Sequence, residues 1–138
     1  MESYRSTFIA VAPDTTAVAG TEPPERSGPK TIARLEYELI SSQPYALTQE
    51  EVLFRVHTAR RGLPSQEVSA RRSQLWNEFF SKPMACLRAS PLPKTYGWGL
   101  HFDAKGRVAL VGVESAEYRR LSADASLAQV PAMRSKRH

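Results

Sequence analysis

The sequence predicts an α+β fold, a mainly antiparallel sheet of four or five strands packed against three helices, with a short fourth helix. Three observations predict it. Between residues 31 and 80 the apolar side chains recur with the helical period. From residue 84 onward they run or alternate as strands do. A separate apolar stretch at 7–12 supplies one more strand from the N-terminus. The length of 138 residues suits a single domain spanning 1–138, and 41% apolar with 24% charged residues is the balance of a globular chain.

The N-terminal stretch is apolar on both faces, so it reads as an interior strand covered on both sides, ended by Pro13-Asp14. Residues 13–29 carry Pro13, Gly20, Pro23, Pro24, Gly28 and Pro29 without a hydrophobic period. They read as a long Pro/Gly-rich loop, either functional or mobile.

Residues 31–41 follow as a helix with Ile32, Leu35, Leu39 and Ile40 on one face and Arg34, Glu36 and Glu38 away from it. Gln43-Pro44-Tyr45 breaks it. Thr48 with Glu51 three residues on is a capping-box pattern, in which each side chain satisfies an orphan backbone N–H. The second helix buries Val52, Leu53, Val56 and Ala59, with Gly62 at its C-terminal cap. A third begins near Pro64 and lines its core face with Val68, Leu75, Trp76, Phe79 and Phe80.

Residues 84–90 read as a strand closed by Pro91-Leu92-Pro93. Residues 98–102 and 107–113 read as a hairpin whose loop, Asp103-Ala104-Lys105-Gly106, has a glycine able to take positive φ. The second hairpin strand is apolar on both faces, which places it at the centre of the sheet. A short helix at 116–121 is capped by Ser115, and 129–133 reads as a short strand pairing with an edge.

Composition narrows the function classes. One cysteine, Cys86, excludes an intramolecular disulfide and any multi-cysteine metal cluster. Neither His57 nor His101 has a second histidine or cysteine at ligand spacing, and no glycine-rich phosphate loop opens a helix, so no metal or cofactor is expected. No membrane span or secretory leader is read, which makes a soluble cytoplasmic protein the default. The net charge of +5 is uneven: Arg5 and Arg26 face Glu2, Asp14, Glu22 and Glu25 in the first 29 residues. The tail, 134–138, adds Arg134, Lys136 and Arg137. Much of the excess is therefore a short terminus rather than a dense basic face.

The run Cys86-Leu87-Arg88-Ala89-Ser90-Pro91-Leu92-Pro93-Lys94, followed by Tyr96-Gly97-Trp98-Gly99, resembles a family of small bacterial proteins catalogued as a domain of unknown function. So do Lys30-Thr31-Ile32-Ala33-Arg34, Gly112-Val113-Glu114-Ser115 with Glu117-Tyr118, and Ala132-Met133-Arg134-Ser135. The resemblance implies a whole domain with its tail included, and it implies no activity.

The residues least explained by packing lie between 86 and 101. Strand alternation puts Arg88 and Ser90 on one face, near Lys94 and Tyr96 in the proline-framed loop, while His101 faces away from Trp98, Leu100 and Phe102. Arg88, Lys94 and His101 are expected to converge on an anion, with Ser90 and Tyr96 as neutral donors. The expected function is a non-enzymatic binding module for an anionic small molecule or an acidic protein partner. The competing reading has Arg88 paired with Glu114 or another carboxylate inside the fold and the glycines making room for Trp98. Two other classes stand beside it. One is sequence-tolerant nucleic-acid binding through Arg60-Arg61, Arg71-Arg72, Arg119-Arg120 and the tail. The other is a small enzyme using His101 or Cys86 with Arg88, although a cysteine among apolar neighbours is more often a small buried hydrophobe.

Overall fold

The structure, a computed structural model, describes residues 4–135; Lys136, Arg137 and His138 of the basic tail fall outside the described residues. Four strands form one sheet: β1 (Thr7–Ala10), β2 (Trp98–Phe102), β3 (Val108–Gly112) and β4 (Ala128–Pro131), in the order β3-β2-β1-β4. β1 pairs antiparallel with β2, and β2 with β3, but β1 and β4 run parallel. The sheet is thus mixed. Six α-helices accompany it among the described residues: α1 (Ile32–Ser42), α2 (Gln49–Arg60), α3 (Ser65–Ala70), α4 (Arg72–Phe80), α5 (Pro91–Thr95) and α6 (Ala116–Ser122). None is long and apolar enough to cross a membrane.

Several local signals act as read. β1 is interior, with Phe8 and Ile9 fully buried on its two faces. Thr48 caps α2 in a reciprocal capping box with Glu51, an arrangement worth about 1 kcal/mol. Ser115 Oγ accepts from Tyr118 N at the start of α6. Gly106 (φ +82°) closes the hairpin loop, with its N–H donating to Asp103 O.

Four sequence expectations need correction. Residues 84–90 are not a strand; a 3₁₀ turn, Leu87–Ala89, occupies their end. The Leu87 amide goes to the Gln49 side chain at 2.8 Å instead of to a ladder, and the place beside β1 belongs to β4. Pro91-Leu92-Pro93 starts α5 rather than only stopping the chain, because proline suits a first turn and Ser90 caps it by accepting from Leu92 N. The expected long helix at 64–80 breaks at Arg71 (φ −118°, ψ 23°), and the turn brings Trp76 and Phe79 of α4 around to Phe54 on α2. Finally β3 is an edge strand, not the centre. It is apolar on both faces because each face packs under a helical layer, α1 on one side and α6 on the other. Only the start of its outer edge is met, where Tyr45 N donates to Val108 O, Val108 N donates to Leu47 O and Thr48 bridges Arg107.

The two faces of the sheet carry different layers. On one, Ile9, Leu100, Phe102 and Val108 pack with Ile40, Val52, Leu87 and Leu92, all buried, beneath α1, α2 and α5. On the other, Phe8 and Val111 meet Leu121 and Tyr118 of α6. Each fully buried side chain of this size contributes about 1.5–3 kcal/mol. Gly99 lies on the α6 face, where an added Cβ would collide with the rings of Phe8 and Tyr118. Of residues 13–29, the stretch 20–23 is packed against the sheet and α1, while 24–29 are exposed. Trp98 Nε1 donates to Thr21 O, Thr21 N donates to Tyr96 O, Gly20 N donates to Glu114 Oε1, and Pro23 is buried.

Candidate functional site

A cleft of about 620 Å³ opens between α1, α2, α4 and the segment leading into α5. Its apolar wall comes from Ile32, Leu53, Val56, Phe79, Met84 and Pro91. Its polar groups are Glu36, Ser90, His57, Cys86, Arg60 and Arg61. The helical period explains the meeting. Ile32 and Glu36 lie one turn apart on α1, while Val56, His57, Arg60 and Arg61 share one side of the C-terminal half of α2.

Glu36 is the most unusual of these groups. It is 2% exposed, and Ser90 Oγ, itself buried, lies 2.6 Å from Oε1. Burial pushes the carboxyl up to about 7, opposed by the Ser90 hydrogen bond. No ion pair reaches it among the described residues, although Arg34, two positions earlier, has three carboxylate partners. His57 stacks on Phe79 at 4.4 Å, and burial together with the Arg61 charge holds its pKa below the usual histidine value. Cys86 is half-buried, with its Sγ 3.3 Å from the Tyr4 hydroxyl. Burial, and then the bond to Cys86, push that phenol up to about 12, so it stays protonated at neutral pH. Arg60 and Arg61 are exposed, which puts positive charge at the rim.

The five residues expected between 88 and 101 do not gather in one place. Ser90 lines the cleft. Tyr96 lines a neighbouring groove of about 970 Å³ that shares Ile32, Arg60 and Pro91 with it. Lys94 lies half-buried in α5. Arg88 Nε donates to Pro131 O on β4, so its partner is a backbone carbonyl and not Glu114. His101 sits in register with Phe8 and Ala109, on the α6 face of the sheet, away from α5. There its Nδ1 shares a 2.7 Å bond with the Tyr45 hydroxyl, and burial keeps its pKa below the usual value. The alternation that grouped Arg88 with Ser90 failed because no strand exists at 84–90.

The glycines also have structural work. Gly97 (φ +77°) lies against the Ala19 backbone, and Gly99 makes room for Phe8 and Tyr118 rather than for Trp98. Of the arginine pairs, Arg71 reaches Glu67, Arg120 reaches Glu117, and Arg72 lies over the rings of Phe54 and Trp76.

Sequence reasoning missed Glu36 by placing it off the apolar face of its helix. The signal was present: Ile32, Glu36 and Ile40 are spaced four apart, so the carboxylate lies in the middle of the stripe. Phe79 and Met84 were legible as apolar, but nothing local says that they line an opening.

The chain belongs to the family of unknown function DUF6157, whose match extends over residues 1–138. No curated protein and no solved structure shows significant similarity to it.

Proposed function

We propose that this member of the family is a binding module whose cleft takes a small amphipathic organic anion. The observation that carries the reading is the composition of the cleft: an apolar wall, two arginines at the rim and a buried hydrogen-bonding pair, Glu36 with Ser90. A largely apolar concavity with a few convergent polar groups, one of them with a displaced pKa, is the usual constitution of a small-molecule site. Its volume suits a ligand of that size. The apolar body would lie along Ile32, Leu53, Val56 and Phe79, and the negative end would meet Arg60 and Arg61. The chemistry remains that expected for residues 86–101, with the charge supplied from α2 in place of Arg88 and Lys94.

Cys86 provides the test. As the chain's single cysteine and part of the cleft wall, it reports occupancy through its rate of alkylation by a maleimide. Decanoate is expected to slow that rate in a saturable way, and decanol to do so far less. Replacing both Arg60 and Arg61 by alanine is expected to weaken decanoate about tenfold, since rim charges are screened by solvent. If decanoate neither protects Cys86 nor shifts the thermal midpoint, the cleft is not this kind of site.

A further inference from the structure

A carboxyl buried to the extent of Glu36 ordinarily meets a cation or several hydrogen bonds. Here it has one, from Ser90, and the geometry of that bond fixes its direction. The Ser90 oxygen already accepts from Leu92 N at 3.1 Å as the cap of α5. Its single hydrogen has one acceptor among the described residues, Glu36 Oε1. With the Ser90 hydrogen given to Oε1, a neutral Glu36 carries its own proton on Oε2, the oxygen to which the protein gives no hydrogen bond among the described residues.

The charged and titratable groups that share the cleft with this oxygen are His57, Arg60 and Arg61 from α2 and Cys86 from the segment before α5. The two arginines favour an anion in the cleft. An anion beside an ionised Glu36 would be repelled; beside a neutral one it gains a donor.

We propose that Glu36 and Ser90 form a carboxylate-recognition subsite in which neutral Glu36 donates from Oε2 to the ligand's carboxylate, so that the cleft selects organic acids and takes up a proton as it binds them. The proposal rests on the cleft being a binding site for organic anions. The proton comes from solvent and stays on Oε2 within the hydrogen bond to the ligand; no covalent bond is made or broken in the ligand.

The test is calorimetric titration with decanoate from pH 6 to 8.5 in two buffers of different ionisation enthalpy, together with Cys86 protection. Wild-type protein is expected to take up nearly one proton per decanoate at the upper end, with affinity falling close to tenfold per pH unit above 7. Glu36→Gln keeps a donor but cannot exchange a proton, so its affinity is expected to be flat across the range and its proton uptake absent. Ser90→Ala removes the hydrogen bond that favours the ionised carboxylate, so the break in the affinity curve moves to higher pH. His57→Asn separates the other titratable group: the wild-type slope is expected to survive it.

Decanoate binding that protects Cys86 but shows no proton uptake, or a slope that persists in Glu36→Gln or vanishes in His57→Asn, overturns the subsite and leaves the anion-binding reading standing. Decanoate that fails to bind at any pH, to wild type and variants alike, overturns both.

Discussion

Two buried ionisable side chains lie two residues apart on α1, and they have opposite surroundings. Arg34 is held by Glu22, Glu25 and Glu38 and also donates to Pro23 O. Its charge is saturated, which raises its pKa further and ties the loop at 22–25 onto the helix. Glu36 has one neutral hydroxyl for a partner and lines a cleft. Saturation marks a side chain that holds the fold. On the proposed reading, the spare hydrogen-bonding capacity of Glu36 serves a ligand instead.

The largest effect expected from this contrast is on stability against pH. The Glu36 carboxyl titrates near 7 in the folded protein against an ordinary value of 4.5. Between these values the unfolded chain has released the proton and the folded protein keeps it, so stability falls as pH rises through this window. The loss is about 3 kcal/mol, absent below pH 4.5 and complete above 7. Glu36→Gln should remove this slope, leaving the variant about as stable as wild type at pH 4.5 and more stable at pH 8. Urea unfolding at the two pH values measures it. Equal wild-type and variant slopes would mean that Glu36 is solvated and the contrast with Arg34 is void.

Next comes Ser90→Ala, which leaves both Glu36 Oε1 and the Leu92 amide without a partner. The expected cost is about 2 kcal/mol at pH 7 by denaturant midpoint. It sharpens the comparison by asking whether the one partner of Glu36 contributes to the fold as well as to the cleft.

Much of the scaffold was legible because its signals are local. The Thr48–Glu51 capping box, the Ser115 cap and the Gly106 hairpin turn each lie within a few residues of what they organise. The misread parts depend on distant chain. Residues 84–90 have strand-like composition, yet whether they form a strand depended on what already paired with β1, and β4 arrives from more than 120 residues away to run parallel to it. The edge position of β3 was hidden for a similar reason, since α1 and α6 cover its two faces and make an edge strand as apolar as a central one. Of the site, Ser90 was singled out from its own neighbourhood. Arg34 and Glu36 were assigned to the solvent side because residues 22–25 and 84–91, which cover them, are invisible to a helical wheel.

Arg34→Ala should act locally. Its partners are substantially exposed carboxylates, so losing it frees the loop without opening the sheet. Hydrogen exchange at the Thr21 amide, which donates to Tyr96 O, is expected to accelerate about tenfold, while amides in β1 and β2 hold their rates. Acceleration spread evenly over the sheet would show that Arg34 supports the global core, and the division between holding and receiving residues would lose one side.

The smallest effect belongs to Lys30, and it separates distance from consequence. Lys30 Nζ lies 2.7 Å from Glu38 Oε1, the same distance as Arg34 Nε from Glu38 Oε2. By contact length the two pairs are equal. They differ in setting: the Lys30 side chain is 51% exposed and that of Arg34 only 11%. In water the attraction is screened, and holding a long side chain in place costs entropy that offsets it. Lys30→Ala should therefore change stability by no more than about 0.5 kcal/mol, less still in high salt. Glu38 keeps Arg34 as a partner after the change, and Thr21 exchange should stay at the wild-type rate. A Lys30→Ala effect as large as that of Ser90→Ala would mean that pairing alone, not pairing under burial, sets what α1 holds together.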